Sequence, residues 1–142
     1  MNKLIRSTFF LILLIFFSSP LILQLSSCHP LKPFTDIDTS DALKMLQPGK
    51  RSADLIILDV RTPEEYAGGY IAGAVNLDFK SPDFAAKLDA LDKTKTYLVY
   101  CRSGGRSAKA MGIMKEKGFN RVYNLRGGIM EWKTQNQPLN GN

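Results

Sequence analysis

Hydrophobic residues fall along the chain in two rhythms. Leu55-Ile56-Ile57-Leu58 and Thr96-Tyr97-Leu98-Val99-Tyr100 are continuous runs of strand length, the pattern of parallel strands covered on both faces. Val122-Tyr123-Asn124-Leu125 predicts another strand, and Phe34 to Ile37 and Ala74 to Leu77 predict shorter ones. Helical spacing lies between them. Thr39-Ser40-Asp41 offers capping chemistry before Ala42, Leu43, Met45 and Leu46, and Pro48-Gly49 ends that segment. Thr62-Pro63-Glu64-Glu65 starts a second helix, with Pro at its first position and acids in its first turn, and Gly68-Gly69 stops it. Phe84, Leu88 and Leu91 give a third amphipathic helix within Ser81 to Leu91. A fourth is expected from about Ser107 to Lys117, burying Ala108, Met111, Ile113 and Met114, with Gly118 as its C-cap. The last follows Gly127-Gly128, runs through Met130 and a core Trp132, and ends before Pro138. Alternating strands and helices predict an α/β fold, a parallel sheet wound right-handed with helices on both faces.

The N-terminal pattern differs. Lys3 and Arg6 precede a nearly uncharged apolar stretch from Phe9 to Leu25, broken by Ser18-Ser19-Pro20, which reads as a secretory signal. It ends in Leu25-Ser26-Ser27-Cys28, which resembles a bacterial lipobox, whose cysteine becomes the lipidated first residue of the mature protein. Acyl chains then replace the cleaved segment as the anchor, each buried CH₂ contributing about 0.8 kcal/mol. Two other readings stand beside this one: an uncleaved anchor at the short limit of a membrane span, and an ordinary cleavage site with Cys28 incidental. All three put the domain outside the cytoplasm. The expected organisation is a signal peptide over 1–27, a Pro-containing tether over 28–33 and one domain over 34–142.

Length and composition permit one ordinary globular domain, with 142 residues, 44% hydrophobic and 23% charged. The net charge of +6 falls to +4 without Lys3 and Arg6, a mild excess suited to small anionic substrates or an anionic membrane. No basic run suggests nucleic acid. With two cysteines, Cys28 and Cys101, and the single His29 beside the presumed anchor, a disulfide framework is excluded by count, and a structural zinc site, which usually takes four Cys or His ligands, is disfavoured.

Candidate chemistry concentrates in Cys101-Arg102-Ser103-Gly104-Gly105-Arg106-Ser107, where a strand ends and a helix begins. A thiolate, not a thiol, is the nucleophile, and a helix N-terminus presents unpaired N–H groups and positive potential. Gly104 and Gly105 allow the backbone to curl so that the N–H groups of 102–106 converge on one spot. Arg102 and Arg106 add fixed positive charge. The loop favours an anion at or just above the sulfur of Cys101.

These residues resemble the active-site loop of the rhodanese family. Asp59-Val60-Arg61-Thr62-Pro63-Glu64-Glu65-Tyr66 resembles its second signature, Gly69-Tyr70-Ile71-Ala72-Gly73-Ala74-Val75-Asn76 its third, and Leu125-Arg126-Gly127-Gly128-Ile129 with Trp132 its C-terminal one. The likeness runs from about Phe34 to Leu139. Tyr70 stands where the family usually has histidine and Ala72 where it usually has proline, departures that bear on the second loop's packing rather than on the nucleophile.

The resemblance implies a five-stranded parallel sheet with the loop at its carboxyl edge, and sulfur transfer through a persulfide. Cys101 would attack the sulfane sulfur of a small anionic donor such as thiosulfate, sulfite would leave, and the terminal sulfur would pass to cyanide or a thiol. No cofactor or metal is implied, and a monomer is expected. The backbone from Arg102 through Ser103, Gly104 and Gly105 to Arg106 would form the anion cradle, supported by Ser107. Arg106 would stabilise the loop or the donor's charge, and Arg102 would face the mouth. Asp59 and Glu65 are candidates to fix a loop arginine, or are a turn acid and a helix-start acid. Arg61 serves either structure or substrate.

Alternatives on the same fold are a phosphatase or arsenate reductase, and a non-catalytic or sulfur-carrier module that binds a partner. Cysteine-dependent phosphatases place arginine after five intervening residues, whereas four separate Cys101 from Arg106. Thiol–disulfide exchange needs a resolving cysteine, for which Cys28 is remote.

Overall fold

The computed structural model describes residues 32–141. The signal, lipobox and Cys28 lie outside the described residues, as does most of the tether. The strands are β1 (Thr35–Ile37), β2 (Leu55–Asp59), β3 (Ala74–Asn76), β4 (Thr96–Tyr100) and β5 (Arg121–Leu125). The helices are α1 (Thr39–Leu46), α2 (Pro63–Ala67), α3 (Phe84–Asp89), α4 (Gly105–Glu116) and α5 (Gly128–Thr134). The sheet is parallel throughout, in the order β1-β5-β4-β2-β3. This is the α/β architecture expected from the alternation of strands and helices. Among the described residues no helix is long and apolar enough to cross a membrane.

β4 lies at the centre, and its side chains alternate between two hydrophobic clusters. Leu98 and Tyr100 join Ile57, Leu125, Ile129 and Trp132 on one face. Tyr97, Val99 and Cys101 join Leu58, Phe84, Leu88 and Met114 on the other. This period of two explains the unbroken apolar runs: both faces of β2 and β4 are buried. It also directs Cys101 toward the layer that contains α3 and α4.

The element ends differ from expectation in instructive ways. The cap of α1 is Asp38, whose carboxylate accepts the Asp41 N–H at 2.9 Å, while Thr39 is buried inside the helix. α3 spans only Phe84–Asp89, because Asp78 and Ser81 organise a turn before it. α4 starts at Gly105, ahead of Ser107, and buries Ser107, Ala110 and Met114 rather than Ala108. It ends with Gly118 at φ +83° just beyond the cap residue Lys117. There the Gly118 and Phe119 N–H groups return to the carbonyls of Lys115 and Met114, a geometry that disfavours any residue with a Cβ.

The two departures in the second loop have packing uses. Tyr70 stacks on Tyr66 with ring centroids 4.1 Å apart, and its backbone exchanges both hydrogen bonds with Asn140. Ala72 lines an apolar cleft of about 430 Å³ beside Trp132.

Candidate active site

β4 delivers Cys101 to the carboxyl edge of the sheet, where open α/β folds place their sites. The residue is 1% exposed and is the free cysteine among the described residues. Gly104 follows in the left-handed conformation, φ +93°, and serves as the N-cap of α4. That bend brings the Gly104 N–H to 3.2 Å from Sγ. Ser107, buried in the first turn of α4, places its hydroxyl 3.4 Å from Sγ and 3.1 Å from the Gly104 carbonyl. The hydroxyl has one proton for these two acceptors, and donating it to sulfur favours the thiolate.

Burial pushes the Cys101 thiol up. Against it act the Ser107 hydroxyl and the N–H groups of Ser107, Ser103 and Gly104, and together they bring it below the ordinary thiol value. Dipoles in a dry setting, where such bonds are stronger than in water, thus favour the thiolate.

The two glycines of the loop are not equivalent. A Cβ on Gly104 would lie 1.9 Å from the Arg126 carbonyl oxygen, whereas Gly105 has open space around it. Gly128, at φ +58°, would carry a Cβ 2.6 Å from the carbonyls of Cys101 and Arg102. The start of α5 is thus pressed against the loop, and the N–H groups of Ile129 and Met130 donate to the carbonyls of Cys101 and Arg102 at 2.9 and 3.0 Å. In the sequence this strap stands out as a signature of the resemblance, but its contact with the Cys101 loop is not legible there. Its signal was the paired glycines after β5, which the local pattern explains equally well as a turn.

Arg106 is locked. Its two terminal nitrogens meet the two oxygens of Glu65, both at 2.7 Å. Glu65 also completes the capping box of α2, accepting the Thr62 N–H at 3.1 Å while the Thr62 hydroxyl accepts the Glu65 N–H. Arg106 foremost, against some burial and with help from Thr62, lowers the Glu65 carboxyl to about 2. A depressed carboxyl stabilises the fold above its unfolded value near 4.5 and loses that contribution as pH falls toward 2. Glu65 therefore fixes a loop arginine, and Arg106 faces both Glu65 and the charge of Cys101.

Asp59 does not hold a loop arginine. It sits at the end of β2, fully buried, and binds its neighbour Arg61 through Oδ2 at 2.5 Å, while Oδ1 accepts the Arg61 backbone N–H at 2.9 Å. The tight turn from Asp59 to Arg61 brings the two side chains together before any other element can intervene. Arg61 also donates to the Gly69 carbonyl at 2.8 Å and lies over the Tyr100 ring at 5.6 Å. It ties β2, the second loop and β4 together beneath the site.

Arg102 and Ser103 are exposed at the rim. Arg102 lines a depression of about 350 Å³ with Arg61, Glu65 and Gly68 on one side and residues of α5 on the other. Among the described residues no cluster of His, Cys, Asp and Glu could hold a metal ion.

Comparison with known proteins agrees with this geometry. A family model described as the rhodanese-like domain matches residues 38–135. The chain is 32% identical over 103 residues to a sulfurtransferase of Allochromatium vinosum, covering 72% of this chain and 94% of that protein. It is 38% identical over 84 residues to a thiosulfate sulfurtransferase of Stutzerimonas stutzeri, covering 58% and 74%. Among solved structures, a rhodanese-related protein of Thermoplasma volcanium superposes with a TM-score of 0.66 at 27% identity, covering 76% of this chain and 99% of that one. The span matched by the family model holds β2 to β5, Cys101 with its loop and the strap that closes it, and the chain belongs to the rhodanese-like family.

Proposed function

We propose that the protein is a sulfurtransferase that moves a sulfane sulfur from a small anionic donor such as thiosulfate to cyanide or a thiol, with Cys101 as the carrier. The observation that carries this reading is the buried Cys101 sulfur held by the Gly104 N–H and the Ser107 hydroxyl at the start of α4. The thiolate attacks the outer sulfur of the donor, and sulfite leaves with the bonding pair. The persulfide that remains is an anion in the same place, so the same donors serve both states. The second sulfur then passes to the acceptor and the thiolate returns. No general base is needed when the thiolate is already favoured. Arg102, exposed at the rim, is placed to meet the donor's charge, while Arg106, engaged by Glu65, holds the loop.

Mass spectrometry after incubation with thiosulfate tests the reading. Cys101 is expected to gain the mass of one sulfur atom and to lose it on addition of cyanide. A wild-type protein that hydrolyses aryl phosphates through Cys101 and never carries sulfur would overturn it.

The same reading places the enzyme in a bacterial cell envelope, held by lipid on Cys28 after removal of 1–27. The support is the apolar stretch followed directly by Leu25-Ser26-Ser27-Cys28. Cys28→Ala is expected to leave the precursor unprocessed or to release the domain from membranes. Unchanged processing and detergent partitioning would remove the anchor.

A further inference from the structure

The depression beside the active loop is larger than its chemistry with thiosulfate and cyanide requires. Its volume of about 350 Å³ falls in the range of sites for organic ligands, ~300–1,000 Å³. α5 supplies one wall through Ile129, Met130 and Lys133, which lie within one helical turn of each other. The wall is fixed to the nucleophile's own backbone by the Ile129 and Met130 N–H groups. Met130 is 49% exposed, one of two large apolar side chains left open to solvent among the described residues.

The charges around the depression differ in availability. Glu65 is occupied at both oxygens by Arg106, and Arg61 is occupied by Asp59 and the Gly69 carbonyl. The side chains of Arg102 and Lys133 are exposed and enter no ion pair among the described residues. Two free cations and a bare methionine thus border one hollow next to the thiol. Cyanide has no carbon chain to cover Met130, and thiosulfate has none either.

Resting on the sulfur-transfer reading, we infer that this hollow receives the acceptor, and that the acceptor is an organic thiol bearing an acid group. Lys133, with Arg102, holds the acid, and Met130 covers the carbon chain. The acceptor thiolate attacks the outer sulfur of the Cys101 persulfide. The S–S bond of the persulfide breaks, its electron pair returns to Cys101 as the thiolate, and the outer sulfur keeps its charge and leaves on the acceptor as R–S–S⁻. No oxidant or reductant is consumed.

The test isolates this half-reaction. The full domain is loaded with thiosulfate, freed of donor, and mixed separately with 3-mercaptopropionate, neutral 2-mercaptoethanol and cationic cysteamine, and loss of the sulfur is followed by mass. The readout is the ratio of second-order rate constants for the acidic and neutral thiols. Lys133→Ala is expected to lower that ratio about fivefold, the upper range for an exposed charge pair. Lys133→Arg should restore it, and Lys133→Glu should favour cysteamine. Lys95→Ala removes the same charge just before β4, at the opposite end of the strand from Cys101, and should leave the ratio unchanged. A ratio unmoved by Lys133→Ala, or lowered equally by Lys95→Ala, overturns the assignment while sulfur transfer stands. A wild-type protein that never loads sulfur overturns the sulfur-transfer reading and this inference with it.

Discussion

Ser107 is the residue on which the reactivity of Cys101 turns. Its hydroxyl is buried and has two acceptors within reach, the Cys101 sulfur and the Gly104 carbonyl. Removing a hydrogen bond to a charged group costs roughly 1.5–3 kcal/mol, so Ser107→Ala should raise the midpoint of Cys101 alkylation by about one to two pH units. The sign follows from the bond: a donor to sulfur favours the thiolate, so its loss favours the thiol. Alkylation rates measured against pH in both proteins check this, and an unchanged midpoint would leave the backbone N–H groups alone responsible. The arginines divide differently from their chemistry on paper. Of Arg61, Arg102 and Arg106, the first and last are bound by carboxylates, which leaves Arg102 available. Charge in a sequence says nothing of which cation is already taken.

At the scale of elements, the loop is held from three sides: β4 before it, α4 after it, and the start of α5 across it. The two adjacent glycines separate these supports. Gly104→Ala places a Cβ against the Arg126 backbone at a positive φ, and should cost about 3 kcal/mol or more, or abolish folding. Gly105→Ala meets nothing at the first position of a helix, and should leave stability unchanged or raise it by up to about 1 kcal/mol. Urea denaturation of the two variants provides the comparison, and equal losses would contradict the geometry. The strands, helix order and position of Cys101 were legible in the sequence because burial imposes a period on every residue of an element. The capping box at Thr62 and Glu65 was legible for the same local reason. The strap of residues 126–130 was not, since its contact with the loop joins segments distant in sequence and leaves only glycines as a trace. For Asp59 the sequence leaves a loop-arginine partner and a turn acid open, and the structure shows the turn acid, because its partner Arg61 is decided by a turn two residues long rather than by the layout of the sheet.

For the whole molecule, the order β1-β5-β4-β2-β3 places the strand that carries the nucleophile between two others. Tyr97, Leu98, Val99 and Tyr100 are all fully buried. Their amides are expected to exchange hydrogen with solvent last, when the entire domain opens. The strap ties the same loop to α5, which carries Trp132, the chain's single tryptophan. Loss of sulfur transfer in urea should therefore coincide with the change in tryptophan fluorescence, and inactivation at markedly lower urea would show that the loop opens by itself. On that expectation the domain keeps no reserve of partly unfolded yet active states: its thiol follows directly on a fully buried central strand, and chemistry and fold should be lost together.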